Sequence, residues 1–174
     1  MARPKQLLDW GGRPLLQHVV GAVAAWPARV VVVVLGAYAE DILERVEFGD
    51  AVVVVNPGWE EGLASSLRVG LDMLVREGRD EAAFISLGDQ PQIQPDVPAA
   101  LLVGAEESGR PAVVPVYRYQ RGHPVLVARS LWPRLMSLEG DAGAAALLQA
   151  HPAWVHEVRF DRAAPADIDV PADV

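Results

Sequence analysis

Asp89 is the residue of this 174-residue chain whose surroundings most clearly suggest chemistry. It follows a mostly apolar stretch of strand length, residues 82–87, and stands in the sequence Gly88-Asp89-Gln90-Pro91, which breaks the strand. Because the stretch is apolar on both faces, it predicts a strand covered by helices on both sides. Ligands of open α/β sheets bind at the carboxyl ends of the strands, where a carboxylate can hold a divalent cation. A turn aspartate that binds nearby backbone amides is the alternative.

Other polar residues also follow strands or begin helices. Asn56 comes directly after the valine-rich stretch 51–55, while Ser65, Ser66 and Arg68 stand at the start of a predicted helix. Amides and hydroxyl groups at a helix start can hold a phosphate or the edge of a base. Helix capping by the serines and a turn at Asn56 explain the same residues, so both interpretations remain open.

Charged residues near the two ends of the chain are further candidates. Lys5 can meet the charge of a phosphate group, although a lysine in this place is also typical of a solvated surface. Asp169, with Asp167 beside it, can bring a second carboxylate to a metal, or it can belong to an acidic solvated tail. His123 stands alone, without the spacing of ligands that a zinc site requires.

The elements that must position these residues alternate along the first two thirds of the chain. β-branched and apolar stretches predict strands at residues 30–35, 51–55, 82–87, 112–117 and 154–160. Apolar residues at helical spacing predict helices at residues 15–26, 37–46, 95–105, 131–136 and 142–150, and a further helix that contains the serine pair and runs to about residue 74. This alternation predicts an α/β fold with a mostly parallel sheet flanked by helices. A chain of this length forms one domain, residues 1–174, whose irregular last third is expected to be a small lobe on the substrate side.

Composition argues against several classes of function. Lys plus Arg number 15 and Asp plus Glu number 23, for a formal net charge of -8, so binding to nucleic acid is not expected. Cysteine is absent, which excludes disulfides and thiolate catalysis. We find neither a signal peptide nor a membrane-spanning stretch, and therefore expect a cytoplasmic protein.

Seven short motifs, in sequence order, resemble those of the molybdenum cofactor cytidylyltransferases, a branch of the MobA-like nucleotidyltransferases. They are Arg3-Pro4-Lys5-Gln6-Leu7-Leu8, Gly12-Arg13-Pro14-Leu15-Leu16, Asn56-Pro57 with Gly62-Leu63-Ala64-Ser65-Ser66-Leu67-Arg68, Leu87-Gly88-Asp89-Gln90-Pro91, Arg121-Gly122-His123-Pro124-Val125, Gly140-Asp141-Ala142-Gly143-Ala144 and Asp167-Ile168-Asp169-Val170-Pro171. The resemblance covers essentially the whole chain. It implies a Rossmann-like nucleotidyltransferase fold and the transfer of CMP from CTP to the terminal phosphate of molybdopterin. Pyrophosphate leaves, and Mg²⁺ is the expected cofactor.

The resemblance also implies roles for individual residues. It assigns Lys5 and Asp89 to catalysis, with Asp89 and Asp169 as metal ligands. It assigns a larger set to substrate binding: Arg3, Asn56, Gly62, Ser65, Ser66, Arg68, Gln90, Pro91, Gly122, His123, Pro124, Gly140 and Asp141. His123 is expected on the pterin side as a hydrogen-bonding group, with Gly140 and Asp141 on the same wall. The expected partners are CTP or GTP, molybdopterin and a molybdoenzyme that accepts the product, and the expected state is a monomer.

Two departures from the family pattern leave alternatives open. The family's first strand and glycine-rich phosphate loop precede the residues that match Arg3-Pro4-Lys5, and this sequence lacks them, so we expect a domain that is incomplete at its N-terminus. Ala145 stands where the family pattern has arginine. One alternative is a transferase that uses GTP or another acceptor, such as a sugar phosphate. Another is a non-catalytic molybdopterin-binding module that has lost the phosphate loop.

Overall fold

A computed structural model describes residues 4–118 and 120–166. The strands are β1 (Asp9–Trp10), β2 (Arg13–Pro14), β3 (Val32–Leu35), β4 (Val52–Val55), β5 (Ala82–Ile85), β6 (Ala112–Tyr117), β7 (Gln120–Arg121), β8 (Val125–Ala128) and β9 (Val155–Phe160). The α-helices are α1 (Leu15–Ala24), α2 (Ala39–Arg45), α3 (Leu63–Glu77), α4 (Asp96–Ser108), α5 (Trp132–Met136) and α6 (Ala144–Ala150). Short 3-10 turns lie at Lys5–Leu7, Trp59–Glu61, Arg129–Leu131 and Pro152–Trp154.

The largest sheet of the described residues is mixed. Strand β8 is antiparallel to both of its neighbours, β5 and β6, and β7 is also antiparallel to β6. Strand β9 is parallel to β6 and lies at its other edge. The sequence predicted a mostly parallel sheet. That prediction was wrong for β7 and β8, which run antiparallel to their neighbours. The few residues between β6 and β8 leave no room for a crossover helix, so the chain must turn straight back.

A second, two-stranded sheet pairs β3 with β4 in parallel. Within residues 4–118 and 120–166, no strand pairs with the other edge of β3 or with the other edge of β5. Helix α3 crosses from one sheet to the other. A Cβ atom added at Gly70 would lie 3.2 Å from the Val34 Cγ2 atom of β3, while Leu71 belongs to the core of the larger sheet.

Helices cover both faces of the larger sheet, which confirms the predicted α/β layering. On one face, α3, α5 and α6 bury a cluster that includes Leu71, Val114, Val127, Trp132 and Leu148. On the other face, α4 buries a cluster that includes Val97, Leu101, Val113, Tyr117 and Leu126. A third cluster, with Leu7, Leu16, Val20, Leu35 and Ile42, packs α1 and α2 beside the β3–β4 pair. Alternate residues of β6 point into the first two clusters, as the period of a strand requires.

None of the helices in the described ranges is both long and apolar enough to cross a membrane.

Candidate functional site

The site lies at the edge of the larger sheet where β5 and β6 end. Because β5 and β8 are antiparallel and Ile85 pairs with Val125, the residues after β5 lie beside the residues before β8. Asp89 follows β5 and His123 precedes β8, so the fold brings the two predicted segments to one edge of the sheet. This is the edge at which α/β sheets bind ligands.

Lys5 and Asp89 form an ion pair at this edge. The Lys5 Nζ atom donates to Asp89 Oδ2 at 2.5 Å, and the two residues are 84 positions apart in the chain. Asp89 is buried, with 9% of its surface exposed, while the Lys5 side chain is 37% exposed. Leu7, which is 2% exposed, anchors the 3-10 turn that carries Lys5. The two residues predicted to act in catalysis are therefore in contact.

The carboxylate of Asp89 fits a divalent cation. Its second oxygen, Oδ1, is buried and has no hydrogen-bond partner among the described residues. A buried carboxylate oxygen left in this way is costly, and a cation would satisfy it. The described ranges contain no group of three or more His, Asp or Glu side chains placed to hold a metal. A hard divalent cation can be held by one or two carboxylates with further ligands from phosphates and water, and Asp89 supplies one such carboxylate.

Two predicted site residues, Arg3 and Asp169, lie outside the described residues, and so does Asp167.

Asn56 and the serine pair form a buried network instead of a helix cap. The Asn56 Nδ2 group donates to Ser65 Oγ at 2.8 Å and to Ser66 Oγ at 3.1 Å. The Ser65 hydroxyl lies 3.0 Å from the carbonyl oxygen of Gly58 and 2.8 Å from that of Gly62, so it donates to this pair of acceptors. Asn56 and Ser65 are 3% and 4% exposed. Their polar atoms tie the end of β4 to the start of α3, and the serines cap no amide of that helix.

The loop at Gly140 and Asp141 caps α3 instead. The Ala64 amide donates to the Gly140 carbonyl at 2.9 Å, and the Leu63 amide donates to Asp141 Oδ1 at 3.4 Å. The next amide, that of Ser65, donates to the carbonyl of Gly62. The first amides of α3 therefore have protein acceptors. A phosphate bound by these amides, which was one interpretation of the serine motif, would have to replace these acceptors, and Gly140 and Asp141 lie against α3.

Gly62 must be glycine because this loop approaches it closely. Its φ is 100°, in the region that L side chains rarely adopt. A Cβ atom there would lie 2.4 Å from the carbonyl carbon and oxygen of Gly140. The contact explains the glycine by the packing of two loops, and it assigns the residue no ligand.

Three other residues predicted to bind substrate are Gln90 and Pro91, directly after Asp89, and Arg68 of α3. Gln90 is buried with 8% exposure, and Pro91 follows it. The Arg68 guanidinium lies 3.5 Å from Glu61 Oε2, and both side chains are exposed. Trp59 is 43% exposed, so its ring is available for stacking on a ligand.

Tyr117 holds the segment of Gly122, His123 and Pro124. Its hydroxyl donates to the His123 carbonyl at 3.0 Å, and a Cβ at Gly122 would lie 2.8 Å from the tyrosine ring. The His123–Pro124 peptide bond is cis. Burial raises the pKa of Tyr117 to about 12, so the hydroxyl remains a neutral donor at physiological pH. Sequence reasoning missed this residue, and the only signal for it is an amphipathic ring at a strand end.

A cavity of about 490 Å³ adjoins His123. Its lining includes Val114, Arg121, His123, Val125, Leu148 and Gln149. The sequence contained no signal for Val114, Leu148 or Gln149, because β6 and α6 meet only through tertiary packing.

A second cavity of about 420 Å³ lies beyond β3 and β4 and is lined by Tyr38, Ala39, Glu40, Asp41 and Val55.

Comparison with known proteins identifies a matching family and a similar protein. The family described as "MobA-like NTP transferase domain" matches residues 1–155. A protein named nicotine blue oxidoreductase, from Paenarthrobacter nicotinovorans, is 31% identical in an alignment 168 residues long that covers 87% of this chain and 76% of that protein.

Solved structures of high similarity come from mycobacteria. A homologue of Rv0371c from Mycobacterium sp. strain JC1 has a TM-score of 0.85 and 31% identity, with 98% of this chain and 84% of that chain covered. Rv0371c of Mycobacterium tuberculosis in complex with manganese has a TM-score of 0.85 and 26% identity, with coverage of 98% and 88%.

Proposed function

Because the chain belongs to the MobA-like NTP transferase domain family, we propose that this nucleotidyltransferase moves CMP from CTP to molybdopterin. The observation that carries the proposal is the contact between Lys5 and Asp89 at the ligand-binding edge of the sheet. This contact combines one cation for phosphate oxygens with one buried carboxylate for a metal. In the proposed reaction, an oxygen of the terminal phosphate of molybdopterin bonds to the α-phosphorus of CTP. The bond from that phosphorus to the bridging oxygen breaks, and pyrophosphate leaves with the electron pair.

Asp89 would hold Mg²⁺, with Asp169 as the second carboxylate. When bound, the cation supplies charge neutralisation to the oxygens of the triphosphate. A relative crystallised with manganese supports the use of a divalent metal in this family. Magnesium or manganese would serve equally at this carboxylate, since both prefer oxygen ligands.

The chain's own residues contribute mainly position and charge. Lys5 steadies the triphosphate as a point charge, and His123 offers a hydrogen bond to the acceptor. No general base is required, because the attacking phosphate oxygen is already an anion. Catalysis of phosphoryl transfer by such means is common, since the protein has little covalent chemistry to perform.

The test is an assay of the purified chain with CTP, Mg²⁺ and molybdopterin, in which pyrophosphate release and the dinucleotide product are measured. We expect Asp89→Asn to lower kcat/KM by about 100-fold or more, because it removes the charge that holds the cation. Asp169→Asn should cause a smaller loss, since Asp89, the buried carboxylate beside Lys5, remains to hold the cation.

Asp80→Asn is the matched control. Asp80 lies just before β5 rather than after it, pairs with Arg29 at 2.9 Å, and has the same 13% side-chain exposure as Asp89. We expect its activity to stay within about threefold of the unchanged protein. Full activity in Asp89→Asn, or equal losses in the two variants, would contradict the proposal.

A competition between CTP and GTP decides the donor. Preference for GTP would reassign the donor and leave the reaction class unchanged. Calorimetric titration with CTP, with and without Mg²⁺, addresses the non-catalytic alternative, for which no nucleotide binding is expected.

A second candidate function comes from the 31% identical relative named nicotine blue oxidoreductase. On this alternative the chain catalyses a redox reaction of nicotine blue, with a reduced nicotinamide tested as the electron donor. Loss of the colour of nicotine blue, measured with reduced nicotinamide and without CTP, tests it directly. Activity in this assay that survives Asp89→Asn would favour the oxidoreductase.

A further inference from the structure

The cavity beside His123 lies on the face of the larger sheet that carries α6. Val114 of β6 and Val125 of β8 form its floor, and Leu148 of α6 forms one side. His123 places one end of the cavity at the edge where Asp89 follows β5. Its volume of about 490 Å³ falls within the range of small-molecule sites, roughly 300 to 1,000 Å³.

The floor of this cavity is apolar, and the arginine in its lining is paired with a carboxylate. Arg121 is the one Lys or Arg among its lining residues, and its guanidinium binds Glu157 Oε1 through Nη2 at 2.8 Å and Nε at 2.9 Å. A phosphate group in this cavity would therefore meet a neutralised arginine beside a carboxylate. The charges favour an uncharged ligand over an anion.

Two exposed residues of α6 belong to the lining of the cavity. Ala145 and Gln149 lie one helical turn apart, line the cavity and are exposed at its mouth. The small side chain of Ala145 leaves the mouth wide. The carboxamide of Gln149 offers both donors and an acceptor, which can form hydrogen bonds with the polar edge of a ring.

We propose that this cavity binds a flat, uncharged nitrogen heterocycle, with Ala145 and Gln149 as specificity-determining residues. The inference rests on the proposed function, in which the heterocycle is the ring of the acceptor while the phosphates lie towards Lys5 and Asp89. The apolar floor packs against the face of the ring, and Gln149 binds its edge. The same chemistry would also suit the base of the nucleotide, so the experiment must separate the two sources.

The experiment measures the binding of three uncharged probes, free pterin, cytidine and guanosine, to the full chain by calorimetry. We expect pterin to bind. Ala145→Leu should weaken that binding about tenfold or more, because the larger side chain fills the mouth. Gln149→Leu should weaken it by a similar factor, because the edge of the ring then lacks its partner.

Ala146→Leu is the matched control for Ala145→Leu. Ala146 is the next residue of the same helix, is also exposed, and does not line the cavity. Its variant should bind pterin as the unchanged protein does. Far-ultraviolet circular dichroism of both variants shows whether α6 remains folded.

Each outcome bears on the inference. If cytidine or guanosine, rather than pterin, shows this pattern of variants, the chemical class stands and the source is the donor's base. If no probe binds, or if Ala145→Leu and Ala146→Leu behave alike, the inference is wrong.

Its failure can be distinguished from failure of the proposed function. Asp89→Asn should abolish Mg²⁺-dependent CTP binding and leave pterin binding intact. If CTP binds but none of the three heterocycle probes binds beside α6, only the inference is wrong. Binding of pterin without any turnover of CTP would overturn only the proposed reaction.

Discussion

At the scale of single residues, Lys5 and Asp89 neutralise each other in the free protein. The ammonium group occupies Asp89 Oδ2, one of the two oxygens that a metal would use. Because the Lys5 side chain is 37% exposed, water screens the pair, and its contribution is about 1 kcal/mol or less. A cation bound at Asp89 Oδ1 would lie beside this ammonium group, and the repulsion between the two positive charges would favour release of the lysine towards the triphosphate.

This competition predicts opposite effects of one substitution on metal and on nucleotide. Lys5→Met should tighten the binding of Mn²⁺ in the absence of nucleotide by about fivefold, because Asp89 no longer has a competing cation. The same variant should raise the KM for CTP, since the triphosphate loses a positive charge. Calorimetric titration with Mn²⁺ and steady-state kinetics measure the two effects.

Lys5→Arg keeps the charge and serves as the control, with metal affinity close to that of the unchanged protein. Weaker Mn²⁺ binding in Lys5→Met would mean that the lysine does not compete with the cation for Asp89.

At the scale of elements, the start of α3 depends on a loop that is distant in sequence. Asp141 Oδ1 accepts a hydrogen bond from the amide of Leu63, 78 residues earlier, and Gly140 packs on Gly62. The network of Asn56 and Ser65 holds the same helix start from the other side. The segments at residues 56, 62–66 and 140–141 therefore form one structural unit around the start of α3.

Gly62→Ala should lower the free energy of unfolding by about 2 kcal/mol or more. The added Cβ would require both an unfavourable positive φ and displacement of the Gly140 backbone. Urea denaturation followed by circular dichroism measures the change.

Gly21→Ala is the control for this substitution. Gly21 lies within α1, is exposed, and has nothing within 4 Å of an added Cβ. Since alanine favours a helix over glycine, the variant should gain up to about 1 kcal/mol of stability. Equal effects of the two substitutions would show that the contact between Gly62 and Gly140 carries no stability.

At the scale of the whole molecule, α3 connects the two sheets. Its Gly70 approaches β3, and its Leu71 is 3% exposed in the core of the larger sheet. Among the described residues the two sheets share no strand pairing, so packing between side chains must hold them together. Such packing makes α3 a connection on which cooperative unfolding depends.

Leu71→Ala should therefore destabilise the whole molecule by about 2 to 5 kcal/mol, as a buried leucine replaced by alanine usually does. Tryptophan fluorescence and circular dichroism should report one shared transition in urea. Val75→Ala, at a position of the same helix that is 39% exposed, should change stability by less than about 1 kcal/mol. Separate transitions for the two probes would indicate that the sheets unfold independently.

The elements and the two central residues could be predicted from the sequence. Helical spacing predicted α1 from residue 15, where the structure begins it, and the valine stretches predicted β3 and β4. Asp89 was predicted at the end of β5 because local signals, an apolar strand and a Gly-Asp-Gln-Pro break, lie next to each other in sequence. Lys5 became a candidate only through the family resemblance, since a lysine near a terminus has no local signature.

Strand direction and the contacts between distant segments were decided by the tertiary structure. The apolar pattern of β8 is the same whether it runs parallel or antiparallel to β5, so only the short connection from β6 determines its direction. The hydroxyl of Tyr117 finds its acceptor, and Ala145 and Gln149 reach the cavity, only after β6, β8 and α6 have packed. Periodicity and propensity are properties of neighbouring residues and can be read from the chain. A cavity is formed by residues far apart in the chain, and its shape exists only in the folded protein.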